Sequence, residues 1–221
     1  MGGTGNVVTL GNQGKGGVDW RWEHCVYVVD RNGNLIEAWT QWDSMFLRPH
    51  SVAISPYDPE KHVWIVDDGH HQVYKFTNDG KTLVMSLGTK DEPGADDKHF
   101  NRPTFLAWDP DGSLYVADGY NGTRVAKFDR DGNFLLDWGQ TGERGKETRP
   151  GYFNSVHGIA VDPTSRRVFV NDRENRRIQV FDPNGKFLDM WTIGAPPRTS
   201  TPCSWVAMDL SGVLTRARSL W

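Results

Sequence analysis

Val156-His-Gly-Ile-Ala-Val-Asp-Pro163, Val168-Phe-Val-Asn-Asp172, Arg177-Ile-Gln-Val-Phe181 and Asp182-Pro-Asn-Gly-Lys186 follow one another along the chain. The first three runs are short and rich in β-branched and aromatic residues, and the last is a turn. The same series occurs twice before. Pro103-Thr-Phe-Leu-Ala-Trp-Asp-Pro110 leads to Leu114-Tyr-Val-Ala-Asp118, Arg124-Val-Ala-Lys-Phe128 and Asp129-Arg-Asp-Gly-Asn133. Pro49-His-Ser-Val-Ala-Ile54 leads to Val63-Trp-Ile-Val-Asp67, Gln72-Val-Tyr-Lys-Phe76 and Asn78-Asp-Gly-Lys81. The starts at 49, 103 and 156 lie 54 and 53 residues apart. A further run after the turn ends in Trp138 or Trp191. Four short strands in a unit of about 50 residues make a β-propeller blade, which buries its faces only against neighbouring blades. The Asn/Asp-Gly turn predicts a tight hairpin with both central residues at positive φ.

Outward from these three copies the pattern becomes partial. Val26 to Trp39 matches Val125 to Trp138 position for position and reads as the outer half of an earlier blade. Ser204-Trp-Val-Ala-Met-Asp-Leu-Ser-Gly-Val-Leu214 reads as the opening of a later one. The expected organisation is a partial blade at 1–44, whole blades at 45–98, 99–152 and 153–196, and the start of another at 197–221. Two closures fit this count. One is a four-bladed ring whose terminal pieces share a blade, and the other is an incomplete portion of a six-bladed ring. Arg216-Ala-Arg-Ser-Leu-Trp221 is not a blade strand, and a sheet edge left open there favours the larger ring.

Composition agrees with an all-β domain. The 221 residues hold 24 glycines and 10 tryptophans, with 37% hydrophobic and 24% charged residues. A net charge of -3 gives no reason to expect a nucleic-acid partner. No apolar run reaches the roughly 20 residues of a membrane-spanning helix. The first ten residues lack the basic and apolar regions of a signal peptide. Cys25 and Cys203 form no disulfide framework and read as small, partly buried thiols.

The repeats separate architecture from chemistry. Asp67, Asp118 and Asp172 recur in every copy, as do Gly80, Gly132 and Gly185, while Arg124 and Arg177 share one slot. These read as structural residues of a repeated surface turn. The first side chain of the innermost strand does not repeat: His50, Thr104, His157 and Ser204 alternate imidazole with hydroxyl. In a six-bladed ring, alternate blades lie about 120° apart, and histidines so placed converge on the axis. Three converging imidazoles with an open fourth position are the arrangement of a catalytic zinc. The third would follow residue 221. Two more residues that do not repeat, Tyr120 and Arg173, come just after the second strand, on the same end of the ring as the histidines. A tyrosine beside a cation is a candidate general base, and an arginine a carboxylate clamp. His24, His62, His70, His71 and His99 fall in loops and are expected not to ligate.

The blades resemble NHL repeats. More narrowly, Asp118-Gly-Tyr-Asn-Gly-Thr-Arg124, Trp138-Gly139, Pro150-Gly-Tyr-Phe-Asn-Ser-Val-His157 and Asn171-Asp-Arg-Glu-Asn-Arg-Arg-Ile-Gln179 resemble the lyase domain of peptidylglycine α-amidating enzymes. The resemblance runs from about residue 45 to 192 and is closest to bacterial, unfused relatives. It implies a six-bladed propeller, zinc on His50 and His157 with a third histidine, a catalytic Tyr120 and an active-site Arg173. It also implies a structural calcium held in part by the Val52 carbonyl, and an extracytoplasmic setting.

The implied reaction splits a peptidyl-α-hydroxyglycine, or a similar carbinolamide, into a peptide amide and glyoxylate. The sequence departs from the family at three places. Gln13 stands where a second arginine is expected, and Asn101 with Asn121, and Phe169 with Val180, stand where the family has disulfides. With the third histidine outside it, the 221-residue chain is expected to hold zinc weakly or not at all. A non-enzymatic NHL propeller that binds peptide or protein is the other reading. A sugar- or lactone-acting propeller is disfavoured, because no acidic cluster lines the channel slots.

Overall fold

A computed structural model describes residues 24–193. Expectations for Gln13, Cys203, Ser204 and the opening strand at 197–221 lie outside these residues. The first element is a hairpin of β1 (Tyr27–Val29) and β2 (Leu35–Ala38). A 3-10 turn at Thr40–Met45 leads into three four-stranded antiparallel sheets. The first comprises β3 (Pro49–Ile54), β4 (Val63–Asp67), β5 (Gln72–Phe76) and β6 (Leu83–Leu87). The second comprises β7 (Pro103–Trp108), β8 (Leu114–Asp118), β9 (Arg124–Phe128) and β10 (Phe134–Trp138). A two-residue parallel pair, β11 (Gln140–Thr141) with β12 (Tyr152–Phe153), precedes the third. That sheet comprises β13 (Val156–Val161), β14 (Val168–Asp172), β15 (Arg177–Phe181) and β16 (Phe187–Thr192). Strand order within each sheet is the chain order, the meander of a propeller blade.

The core lies between sheets, as stacked blades require. One buried cluster joins the hairpin to the first sheet through Trp39, Phe46, Ile65, Tyr74 and Phe76. A second joins the first sheet to the second through Trp64, Val73, Phe100, Trp108 and Val116. A third joins the second to the third through Tyr115, Val125, Phe153, Val170 and Phe181. Middle strands are buried on both faces, as in β4, β8, β9 and β15. The outer strand β10 alternates half-buried and exposed residues, the pattern of a sheet with one face in water. The innermost strand β7 packs against β3 and β13, so the first strands of the three sheets gather on one side.

Two local expectations need correction. In the hairpins before β2, β10 and β16, positive φ is confined to Gly33, Gly132 and Gly185; the preceding Asn or Asp is not left-handed. Asp129 explains why. Its carboxylate accepts from the Asp131 and Asn133 amides, and its carbonyl accepts from Gly132 N at 3.1 Å. This is a longer turn with glycine at the left-handed position and a bulge after it. The glycine is needed for space as well. A Cβ on Gly185 would lie 2.8 Å from the Trp138 ring of the preceding sheet.

The second correction concerns the repeated aspartates, which were expected in a surface turn. Asp67, Asp118 and Asp172 are fully buried. Asp118 accepts the Asn101 amide at 2.7 Å and Arg124 Nε at 3.0 Å. Asp172 accepts the Asn154 amide at 2.7 Å and Arg177 Nε at 2.8 Å. Asp67 accepts the amides of Leu47 and Arg48. Each therefore ties the end of the second strand to the segment that enters the first, an internal staple whose polar atoms are satisfied.

Candidate functional site

Each innermost strand carries one extra residue in its pairing with the next. Pro49 pairs with Asp67 and Ser51 with Val66, which leaves His50 unpaired. Pro103 pairs with Asp118 and Phe105 with Ala117, which leaves Thr104. Val156 pairs with Asp172 and Ile159 with Val170, with one residue too many between them at His157. A β-bulge turns its side chain out of the regular alternation. The three residues that alternate in chemistry thus share one backbone device.

Thr104 turns inward. It is fully buried, and its hydroxyl lies within 3.0 Å of the carbonyls of Ala117, Val156 and His157. The two imidazoles turn toward each other, with ring centroids 5.2 Å apart and nearly perpendicular planes. Tyr120 stands between them. Its hydroxyl is 3.0 Å from His50 Nε2 and 3.0 Å from His157 Nε2. The Phe105 ring lies 5.2 Å from each imidazole.

The protonation pattern follows from the partners. The Thr104 carbonyl accepts from His50 Nδ1 at 3.0 Å, so this imidazole carries its proton on Nδ1 and offers the Nε2 lone pair. Tyr120 then donates to His50 Nε2, and its oxygen accepts from His157 Nε2. Burial is the main cause that lowers the pKa of both imidazoles. For His157 burial is followed by the His50 and Arg173 charges, and its value falls to about 4. Both are neutral near pH 7, the form in which imidazole binds a metal.

Backbone hydrogen bonds carry the loop residues to this point. Tyr120 N donates to the Arg102 carbonyl at 3.1 Å, and Arg173 N to the Ser155 carbonyl at 3.1 Å. Gly119 lets the Tyr120 loop approach the third sheet, since a Cβ there would sit 1.4 Å from the Val156 carbonyl oxygen. The Arg173 guanidinium carbon lies 5.2 Å from the centroid of the Tyr120 ring. Val52 lies in β3 two residues past His50 and pairs with Ile65.

Sequence reasoning missed three neighbours. The Arg102 guanidinium lies over the same tyrosine ring at 4.7 Å. Asp68, fully buried, accepts from Arg102 and Arg48, and Glu174 accepts from Arg173 and Arg144. Asp68, Gly119 and Arg173 occupy one repeat slot with three different residues, a signal the internal comparison already held. The loop histidines pair elsewhere: His70 with Asp91, His99 with Asp96, His62 with Asp58 and Glu60. His71 accepts the Arg102 amide through Nδ1 at 3.0 Å. Cys25 is buried, and burial, then Asp43 and Asp67, push its thiol up to about 12, so it is inert.

The donor set fits two ligands of a zinc ion. Two neutral imidazoles direct Nε2 to one point: His50 offers its lone pair there with Nδ1 fixed by a carbonyl, the usual outer support of a ligating histidine, and His157 would ligate through Nε2 in the tautomer that carries its proton on Nδ1. Among the described residues, no group of three or more His, Cys, Asp or Glu is placed to hold a metal.

Comparison with known proteins adds sequence to this geometry. Residues 153–181 match the family model described as NHL repeat. Peptidyl-glycine alpha-amidating monooxygenase A of Xenopus laevis is 36% identical over 160 residues, which are 72% of this chain and 17% of that protein. Probable peptidyl-alpha-hydroxyglycine alpha-amidating lyase pgal-1 of Caenorhabditis elegans is 35% identical over 156 residues, 71% of this chain and 42% of that one. NHL repeat-containing protein 3 of Mus musculus is 36% identical over 184 residues, 75% and 51%. The chain therefore spans about half or less of the length of these relatives. Among solved structures, virginiamycin B lyase from Staphylococcus aureus aligns with a TM-score of 0.53 at 14% identity, covering 77% of this chain and 49% of that one. This last likeness concerns the fold, a β-propeller.

Proposed function

We propose that this chain, an NHL-repeat propeller homologous to the peptidylglycine α-amidating enzymes, acts as a peptidyl-α-hydroxyglycine α-amidating lyase. One observation carries the reading. The two non-repeating histidines and the non-repeating tyrosine, from three sheets or loops, meet with both Nε2 atoms 3.0 Å from one hydroxyl. Architecture alone gives no reason for the repeat to break at these positions together.

The substrate class is a small peptide ending in α-hydroxyglycine. In the reaction the hydroxyl proton leaves, the carbinol carbon becomes the aldehyde of glyoxylate, and its bond to nitrogen breaks. The departing amide nitrogen takes up one proton, so the step consumes neither water nor an oxidant. Tyr120 is the base for the hydroxyl proton, and the Arg102 and Arg173 guanidiniums supply positive charge beside its ring. Arg173, oriented by Glu174, binds the carboxylate of the glyoxylate-forming end. His50 and His157 would hold zinc, which when bound supplies Lewis-acid polarisation of the substrate hydroxyl. Phe105 packs against both imidazoles and gives one side of the site an apolar wall. A calcium ion on the Val52 carbonyl would be structural.

Zinc affinity, read by titration against a competing chelator, tests the metal part. Wild type binds zinc, and His50→Ala and His157→Ala bind it at least about tenfold more weakly while their melting curves stay cooperative. Glyoxylate release from a synthetic acyl-α-hydroxyglycine tests the chemistry. Tyr120→Phe should lower kcat by about 10²–10⁴. A second reading, a non-enzymatic scaffold, draws on the mouse NHL repeat-containing protein 3, the relative covered over the greater share of its length. It predicts equal zinc in all three proteins and no glyoxylate.

A further inference from the structure

The side chains around Tyr120 form a pattern that the lyase reading leaves unused. Asp68 takes two arginines: Arg48 through Nε and Nη2, both at 2.6 Å, and Arg102 through Nε at 3.0 Å and Nη2 at 2.8 Å. Glu174 also takes two, Arg144 and Arg173. Each anchor is one carboxylate shared by two guanidiniums. The two arginines that reach the site, one from each anchor, lie over the same ring, Arg102 at 4.7 Å and Arg173 at 5.2 Å.

Arg102 is held more firmly than Arg173. Its backbone sits at φ 65° immediately before Pro103, its amide donates to His71 Nδ1, and its carbonyl accepts from Tyr120 N. Asp68, with no exposure, fixes the Nε and Nη2 edge of the guanidinium. Among the described residues no acceptor takes Nη1. The side chain is 29% exposed, so a fixed cation beside the Tyr120 ring keeps an unused donor and access to solvent. A preorganised guanidinium with free donors is suited to a carboxylate.

We propose that Arg102 is a second substrate-binding residue, which pairs with Arg173 to hold the carboxylate of the substrate, and that Asp68 is its positioning residue. The proposal rests on the lyase reading for the identity of the substrate, and its test separates the two. Turnover is measured with an acyl-α-hydroxyglycine and with its methyl ester, and binding with glyoxylate by calorimetry on the metal-free chain. Arg102→Gln should raise KM for the acid about 10- to 100-fold with kcat nearly kept, and leave the ester unchanged. Arg102→Lys should restore part of the loss. Asp68→Asn should shift KM the same way by less, provided that its melting curve shows a folded protein; the Arg102 variants carry the test if it does not.

Equal losses for acid and ester, or no change in the Arg102→Gln variant of an active enzyme, overturn the proposal and leave the lyase reading standing. Glyoxylate binding that Arg102→Gln weakens, in a chain without turnover, supports the proposal and removes the lyase reading. Absence of both turnover and glyoxylate binding removes both.

Discussion

Thr104 and His157 occupy the same bulge in neighbouring sheets and put it to opposite uses. Thr104 sends its hydroxyl into the backbone of the next sheet and disappears from the surface. His157 sends its imidazole to Tyr120. The backbone device is common, and the chemistry belongs to the side chain. The buried aspartates behave differently again. They repeat because each does the same work in every sheet, joining the end of one strand to the entry of another. A residue that repeats reports on the fold, and a residue that breaks the repeat at a shared geometry reports on the site.

The largest effect should come from the repeating set. Asp118→Ala removes the buried carboxylate that takes Arg124 Nε and the Asn101 amide, leaves Arg124 only the partly exposed Asp137 as a carboxylate partner, and should cost about 3 kcal/mol or more in chemical denaturation. A cost under 1 kcal/mol would show that the staple is dispensable and blur the contrast. Thr104→Val comes next. It removes the donor shared by three buried carbonyls and should cost about 1–3 kcal/mol with no direct effect on zinc.

The smallest effect belongs to the site itself. His157→Thr copies the Thr104 solution and should change stability at pH 7 by about 1 kcal/mol or less while zinc is lost. The same pair sets a pH test in chelator. The folded pKa of His157, about 4, lies below its unfolded value near 6.5, so the unfolded chain binds more protons between these values. Wild-type stability relative to His157→Thr should therefore fall as pH drops from 6.5 to 4, by on the order of 1 kcal/mol after relaxation on the channel side. A difference that is flat with pH would mean that the imidazole is not desolvated.

Much of the fold was legible because a blade writes its strands locally. Val63–Asp67, Leu114–Asp118 and Val168–Asp172 are strands with the limits the runs suggest, and so are Arg124–Phe128 and Arg177–Phe181. The pairs that stand in the family's disulfide slots do come together: Phe169 pairs with Val180, and the Asn101 carbonyl accepts from Gly122 N and Asn121 N. His50, His157, Tyr120 and Arg173 could be singled out because each breaks the repeat.

What escaped depends on partners distant in sequence. Asp68 and Arg102 are 34 residues apart, and Asp68 reads as one more polar residue in an Asp-Asp-Gly turn. The burial of Asp67, Asp118 and Asp172 also escaped, because a sequence shows a turn-forming residue without showing what packs over it. The bulge itself leaves no mark in composition, since it is a matter of pairing count alone.

That pairing count has a consequence for how the molecule can change. Substitution at position 50, 104 or 157 alters one side chain at a fixed place. Deletion of the bulged residue would instead leave its neighbours on their present partners, Pro49 with Asp67 and Ser51 with Val66, in regular pairing, and would remove the one position from which a side chain reaches the site. A chain of this design therefore gains or loses an active centre by a change at one bulged position, in type or in presence, one blade at a time.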